Sequence, residues 1–148
     1  MRAMMRPPIL LCLALGAMWW LHRRLPLAQW LDTPYHWIGM LPLLAGLCIS
    51  AWHARLFRRV GTNIDTFKEP GRLVTDGLFR RTRNPMYLGF VITLTGVALL
   101  MGSAMPWLIV LAFFVVTDLW YIRFEERAML QKFGPTYVDY QANVRRWL

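Results

Sequence analysis

The chain has 148 residues, of which 57% are hydrophobic and only 17% charged, where an average soluble domain carries about 25% charged residues. One small domain has too little interior to hide that much apolar surface, so the composition excludes an ordinary soluble fold and points to lipid as the solvent. The net charge of +9 lies between long apolar runs, which suits attraction to anionic headgroups and not a nucleic-acid-binding face.

In chain order, the first predicted element is the apolar run Pro7–Leu21, which follows a basic Met1–Arg6. It is short for a span of about 20 residues, with Leu25–Leu27 and a tilt as ways to extend it. A signal peptide has similar flanks. No small-residue cleavage site follows, and Trp19-Trp20 fits an interfacial aromatic belt. The second span is Tyr35–Trp52. The segment 53–84 carries the turn signals Gly61-Thr62-Asn63, Glu69-Pro70-Gly71 and Asp76-Gly77, with single apolar residues between them. It reads as an ordered loop packed on the membrane face. The third span begins at Pro85, suited to a first helical turn, and ends near Met101. The fourth is Ala104–Phe124. Gly102-Ser103 leaves room only for a tight turn, so the last two spans form an antiparallel hairpin. After Gly134-Pro135, the residues Tyr137, Tyr140, Val144 and Trp147 share one helical face, an amphipathic segment for the interface.

The expected fold is therefore a single-domain, all-α membrane bundle of about four transmembrane helices with a C-terminal amphipathic cytosolic segment. Residues 1–60 form two N-terminal spans, and 61–148 form the part that carries chemistry. Four spans place fifteen Lys and Arg on the side of both termini and of the 53–84 segment, and only Arg23 and Arg24 on the other. The positive-inside rule makes the first side cytoplasmic, in an inner or plasma membrane. Cys12 and Cys48 each lie inside an apolar run, without a CxxC or a His/Cys cluster. They read as free thiols, and no metal site is expected.

Polar groups inside a span need a reason. On the third span Gly89, Thr93 and Gly96 form a small-residue stripe, open to close helix packing or to a ligand approaching the backbone. On the fourth, Asp118, Tyr121 and Glu125 share a face at i, i+3 and i+7, with Glu126 one step around. Asp118 lies about two turns inside the apolar run and needs a partner or a wet cavity. Glu125 and Glu126 are either surface charges or ligand-binding groups. Arg83 stands at the entrance of the third helix, where guanidinium and helix N-terminus together favour a carboxylate.

The stretch Leu73–Gly89, centred on Arg83-Asn84-Pro85-Met86-Tyr87-Leu88-Gly89, resembles the signature of the isoprenylcysteine carboxyl methyltransferase and phospholipid methyltransferase superfamily. So does the later block Glu125-Glu126, Leu130, Phe133-Gly134, Tyr137, Tyr140. The resemblance covers roughly residues 61–148. It implies S-adenosyl-L-methionine as cofactor, held at the cytosolic face between the last two spans and the C-terminal segment. Arg83, Tyr87, Leu88, Gly89, Glu125 and Glu126 are its implied binding residues, and Arg83, Asn84 and Tyr87 the residues nearest the chemistry. Asn84 stands where many members have His, which removes a titratable group and with it a general base. The implied activity is methyl transfer to a lipid-like or small hydrophobic acceptor bearing a carboxylate, thiol or amine. Arg80 and Arg81 are placed to steady an anionic one. Two other classes fit the same sequence: a nicotinamide-dependent membrane reductase of the sterol-reductase type, and a non-enzymatic membrane accessory protein.

Overall fold

A computed structural model describes residues 6–25, 29–60 and 73–148. The turn signals between Gly61 and Gly71 therefore lie outside the described residues. Among those described, the fold is all-helical, with a single isolated bridge between Gln29 and Ser103. Helix α1 spans Pro7–Arg24, and a 3-10 turn at Tyr35–Gly39 leads into α2, Met40–Val60. A second 3-10 turn, Gly77–Arg80, precedes α3, Pro85–Met101. Helix α4 covers Met105–Val116, a π-helical turn covers Thr117–Ile122, and α5 covers Arg123–Phe133. Helix α6 is Pro135–Asn143. Proline stands in the first turn of α1, α3, α4 and α6, where its missing N–H leaves no intrahelical bond unmade.

The predicted hairpin is present. Gly102 takes φ +65° and its N–H returns to the carbonyls of Ala98 and Leu99, a left-handed cap that a side chain would disfavour. Two helical stretches are long and apolar enough to cross a membrane: Tyr35–Arg59, 25 residues, and Met105–Phe133, 29 residues. The third predicted span is apolar but only 17 residues long, and the first ends in His22, Arg23 and Arg24. Large apolar side chains face outward along these helices, among them Leu41, Leu44, Leu108, Leu111 and Trp120. That is the arrangement of a chain associated with a membrane.

Three boundaries differ from the sequence reading. Helix α2 continues past Trp52 to Val60. The fourth helix does not end at Phe124, since α5 carries it to Phe133, where Gly134 at φ +52° stops it. Glu125 and Glu126 are thus inside a helix rather than at its end. The C-terminal helix stops at Asn143, and Val144 is extended at φ −127°, ψ 131°.

Helices α2 and α3 meet along a seam of small residues. A Cβ on Gly89 would sit 2.5 Å from Ser50 Oγ and 2.9 Å from Gly46 O, and one on Gly96 would meet Gly39 O at 2.7 Å. Helix packing is the use of the Gly89–Thr93–Gly96 stripe that the geometry displays. Helix α1 lies against α4 and α3 on the other side. Met18, Tyr87, Leu94 and Ile122 are fully buried where these helices converge.

At the turn end of the hairpin, Trp30 N–H and Leu31 N–H donate to Gly102 O at 3.0 and 3.3 Å. His22 Nδ1 hydrogen-bonds the buried Ser103 Oγ at 2.8 Å. The far end of the hairpin is held differently.

Candidate active site

The entrance to α3 is built from residues 82–87. Thr82 Oγ1 accepts from Asn84 N–H at 3.2 Å and donates to Arg146 O, also at 3.2 Å. Pro85 then starts the helix, which places Tyr87 inside its first turn. The Tyr87 hydroxyl donates to Glu125 Oε1 at 2.7 Å, and its ring lies 6.2 Å from that of Tyr121. Arg83 Nη2 donates to Glu126 Oε1 at 2.8 Å, both side chains being 12% exposed. The two sequence blocks, some forty residues apart, therefore meet in space.

The π-helical turn explains how Glu126 lines up with Asp118. It inserts one more residue into a turn than an α-helix has. On a regular α-helix each residue advances roughly 100°, which would leave Glu126 one step away from Asp118. With the wider turn, Asp118 and Glu126 reach the same guanidinium: Arg146 Nη2 to Glu126 Oε2 at 2.6 Å, Nε to Glu126 Oε1 at 3.2 Å, and Nη1 to both Asp118 oxygens at 3.4 Å. Asp118 also accepts from Trp147 Nε1 at 2.9 Å. The partner that a carboxylate inside an apolar helix requires is thus the end of the chain.

Residues 144–148 form a non-helical strap across the site. Its carbonyls are taken by residues at the α3 entrance. Arg83 Nη1 donates to Gln141 O at 3.0 Å and Val144 O at 2.8 Å, Arg83 N–H to Arg145 O at 3.0 Å, and Asn84 Nδ2 to Arg146 O at 3.0 Å. These bonds compete with helix formation, and they are why the predicted amphipathic helix does not reach Trp147. Trp147 instead packs on Phe114, with ring centroids 4.7 Å apart. Upstream of the strap, Tyr137 is buried and Tyr140 donates its hydroxyl to Phe79 O at 2.7 Å. Burial first, then the Glu126 charge, pushes the Tyr137 hydroxyl up to about 12. Burial also raises Tyr140. Both are neutral hydroxyls at physiological pH. The hydrogen bond to Glu126 raises Arg146 above the ordinary arginine value, so its charge is fixed.

Of the residues singled out in the sequence, Arg83, Asn84, Tyr87, Glu125 and Glu126 come together. Leu88 is half-buried, its N–H closing the first turn of α3 on Asn84 O, and Gly89 faces α2. Arg146, Trp147 and Thr82 belong to the cluster as well. The sequence marked Asp118 as needing a partner, yet contained no signal that the partner lay 28 residues away in the strap.

The fold and this cluster define an all-helical, membrane-associated protein with a charged site where two helices meet its C-terminal end. The chain belongs to the phospholipid methyltransferase family, whose pattern it matches over residues 34–136. That match includes α2, which the sequence resemblance treated as a generic span. An uncharacterized protein of Haemophilus influenzae is 38% identical over 63 residues, 43% of this chain and all of that one. No solved structure matches the chain. Family membership makes it a membrane methyltransferase.

The donor set fits the methyl donor such families use. An amino-acid carboxylate needs guanidinium or N–H donors, and the ammonium and ribose hydroxyls need carboxylates. Arg83, Arg146, Asp118, Glu125 and Glu126 supply both kinds. Arg83 Nε is buried without a hydrogen-bond partner, an open donor for one acceptor atom. Tyr87, Tyr121 and Tyr137 supply aromatic surface beside these charges.

Proposed function

We propose that the protein is an S-adenosyl-L-methionine-dependent methyltransferase acting at the cytosolic membrane face on a lipid-like or small hydrophobic acceptor. The observation that carries this reading is the junction of Tyr87 with Glu125 and of Arg83 with Glu126, within a chain of the phospholipid methyltransferase family. The positive-inside bias supports a cytosolic site, with α1 and α3 completing a four-helix crossing.

The bound cofactor supplies an electrophilic methyl group on a sulfonium, open to in-line displacement. Asp118, Glu125 and Glu126 would offer carboxylates to its ammonium and ribose hydroxyls. Tyr87 holds Glu125 in place, and Arg83 does the same for Glu126. The neutral hydroxyls of Tyr137 and Tyr140 keep the wall beside them uncharged. The strap limits water entry, so that alignment and dryness supply much of the acceleration. Asn84 carries no titratable proton, and its amide holds the strap through Arg146 O. An acceptor therefore arrives ionised or gives its proton to another group. Arg80, exposed and paired to Asp76 at 3.3 Å, and Arg81 are placed to meet an anionic acceptor.

Calorimetry on the detergent-solubilised protein tests the reading: S-adenosylmethionine binds and NADPH does not. Binding of NADPH alone would establish a reductase, and binding of neither an accessory protein. Incubating membrane extracts with methyl-labelled cofactor then identifies the acceptor.

A further inference from the structure

We propose that Arg146 and Asp118 form the subsite for the amino-acid end of the cofactor, with its carboxylate on the Arg146 guanidinium and its ammonium on the Asp118 carboxylate. This rests on the S-adenosylmethionine reading above and moves the carboxylate away from Arg83, the residue to which the sequence pointed.

Arg83 is committed elsewhere. Its Nη1 serves one carbonyl of α6 and one of the strap, and its Nη2 serves Glu126. Three of its five N–H hydrogens are thus engaged within the protein, and the rest belong to the more enclosed of the two arginines. Its side chain is 12% exposed, against 32% for Arg146. The Arg146 guanidinium is held on one side and loose on the other. Nη2 and Nε fork onto Glu126 at 2.6 and 3.2 Å, which fixes the plane of the group. Nη1 stands 3.4 Å from each Asp118 oxygen, well beyond the roughly 2.7–2.9 Å of a close charge-assisted bond. Trp147 Nε1 also donates to Asp118 Oδ1, at 2.9 Å, so the carboxylate keeps a tether that does not depend on Nη1.

A zwitterion can close on this pair from beside it: its carboxylate on Nη1 and its ammonium on Asp118 add two short contacts to one long one and leave neither protein charge unpaired. A ligand lacking either group strands a partner. Because Arg146 lies on the strap, its engagement by ligand also ties the strap to the bound state.

The test is calorimetry on the full-length protein in detergent, with S-adenosylmethionine and its decarboxylated form as probes. Wild type is expected to bind the intact cofactor about tenfold or more tightly than the decarboxylated one, the scale of one charge-assisted contact. Arg146→Met collapses that ratio toward one by weakening the intact cofactor alone. Should that variant not fold, Arg146→Gln keeps a donor for Glu126 and is expected to collapse the ratio likewise. Asp118→Asn weakens both probes in parallel, since both carry the ammonium. Arg127→Met, an exposed arginine outside the cluster, leaves the ratio unchanged. A wild-type ratio near one overturns the subsite. So does an Arg146 variant that weakens both probes equally, the mark of a structural role, or that changes neither. Failure of the intact cofactor to bind wild type overturns the S-adenosylmethionine reading itself, a separate result.

Discussion

The two ends of the α3–α4 hairpin are both held by chain distant in sequence, and by opposite chemistry. At the turn end, Trp30 and Leu31 N–H groups bond Gly102 O and His22 bonds Ser103; no carboxylate takes part. At the entrance end, Arg83, Arg146, Asp118 and Glu126 share one network, and strap carbonyls complete it. A clasp of neutral bonds loses only a bond when one member is removed. A clasp of charges leaves the remaining partner uncompensated. The neutral end can hold, whereas the charged end can hold and also exchange partners with a charged ligand.

The largest expected effect tests that asymmetry directly. Glu126→Ala leaves two guanidiniums without their shared carboxylate and costs about 3–5 kcal/mol, measured by unfolding in mixed micelles, with cofactor binding lost. Next, Gly96→Ala adds a methyl group against Gly39 O and the Leu43 backbone. It costs about 1–3 kcal/mol through overpacking, and both ends loosen together because the seam supports both. Ser103→Ala removes the His22 bond for about 1 kcal/mol and leaves cofactor affinity unchanged. Equal costs for Ser103→Ala and Glu126→Ala would erase the distinction between the ends.

The last effect is absent at neutral pH and shows only as an alkaline slope. Tyr137 keeps its proton in the fold up to about 12, while an unfolded-chain tyrosine loses its proton near 10. Stability is indifferent to this group below about pH 10 and falls as pH rises from there through 12. Tyr137→Phe removes its share of that slope and leaves the share of Tyr140, which burial also raises, read by alkaline unfolding.

Local pattern made much of this legible. Proline-led helix starts, the Gly102 turn and the apolar runs marked α1, α3, α4 and the hairpin. The Arg83–Gly89 and Glu125-Glu126 blocks named most of the residues that meet in the charged cluster. What escaped depends on contacts across the chain. The spacing of Tyr137, Tyr140, Val144 and Trp147 fits a helix, and only the capture of carbonyls 141–146 by Arg83, Thr82 and Asn84 turns the last residues into a strap. Arg83 stood correctly at the α3 entrance, yet its donors face the protein. The small-residue stripe left two uses open until Gly46 and Ser50 of α2 were placed against it.

The wide turn at Thr117–Ile122 works as a phase shifter. Everything after it on the same rod is rotated by one residue relative to everything before it, roughly 100°. The two halves of the rod therefore keep separate bookkeeping of which face is inward. Shortening the turn by a single residue would leave α4 and α5 individually intact, each with its composition unchanged. Glu126 would then follow Asp118 by seven positions on a regular α-helix and stay in line with it, whereas an α-helical turn of unchanged length would carry it out of line. The width of this one turn is thus a determinant of the site in its own right, and a sequence comparison with a regular helix that allows no gap there would align residues onto the wrong side.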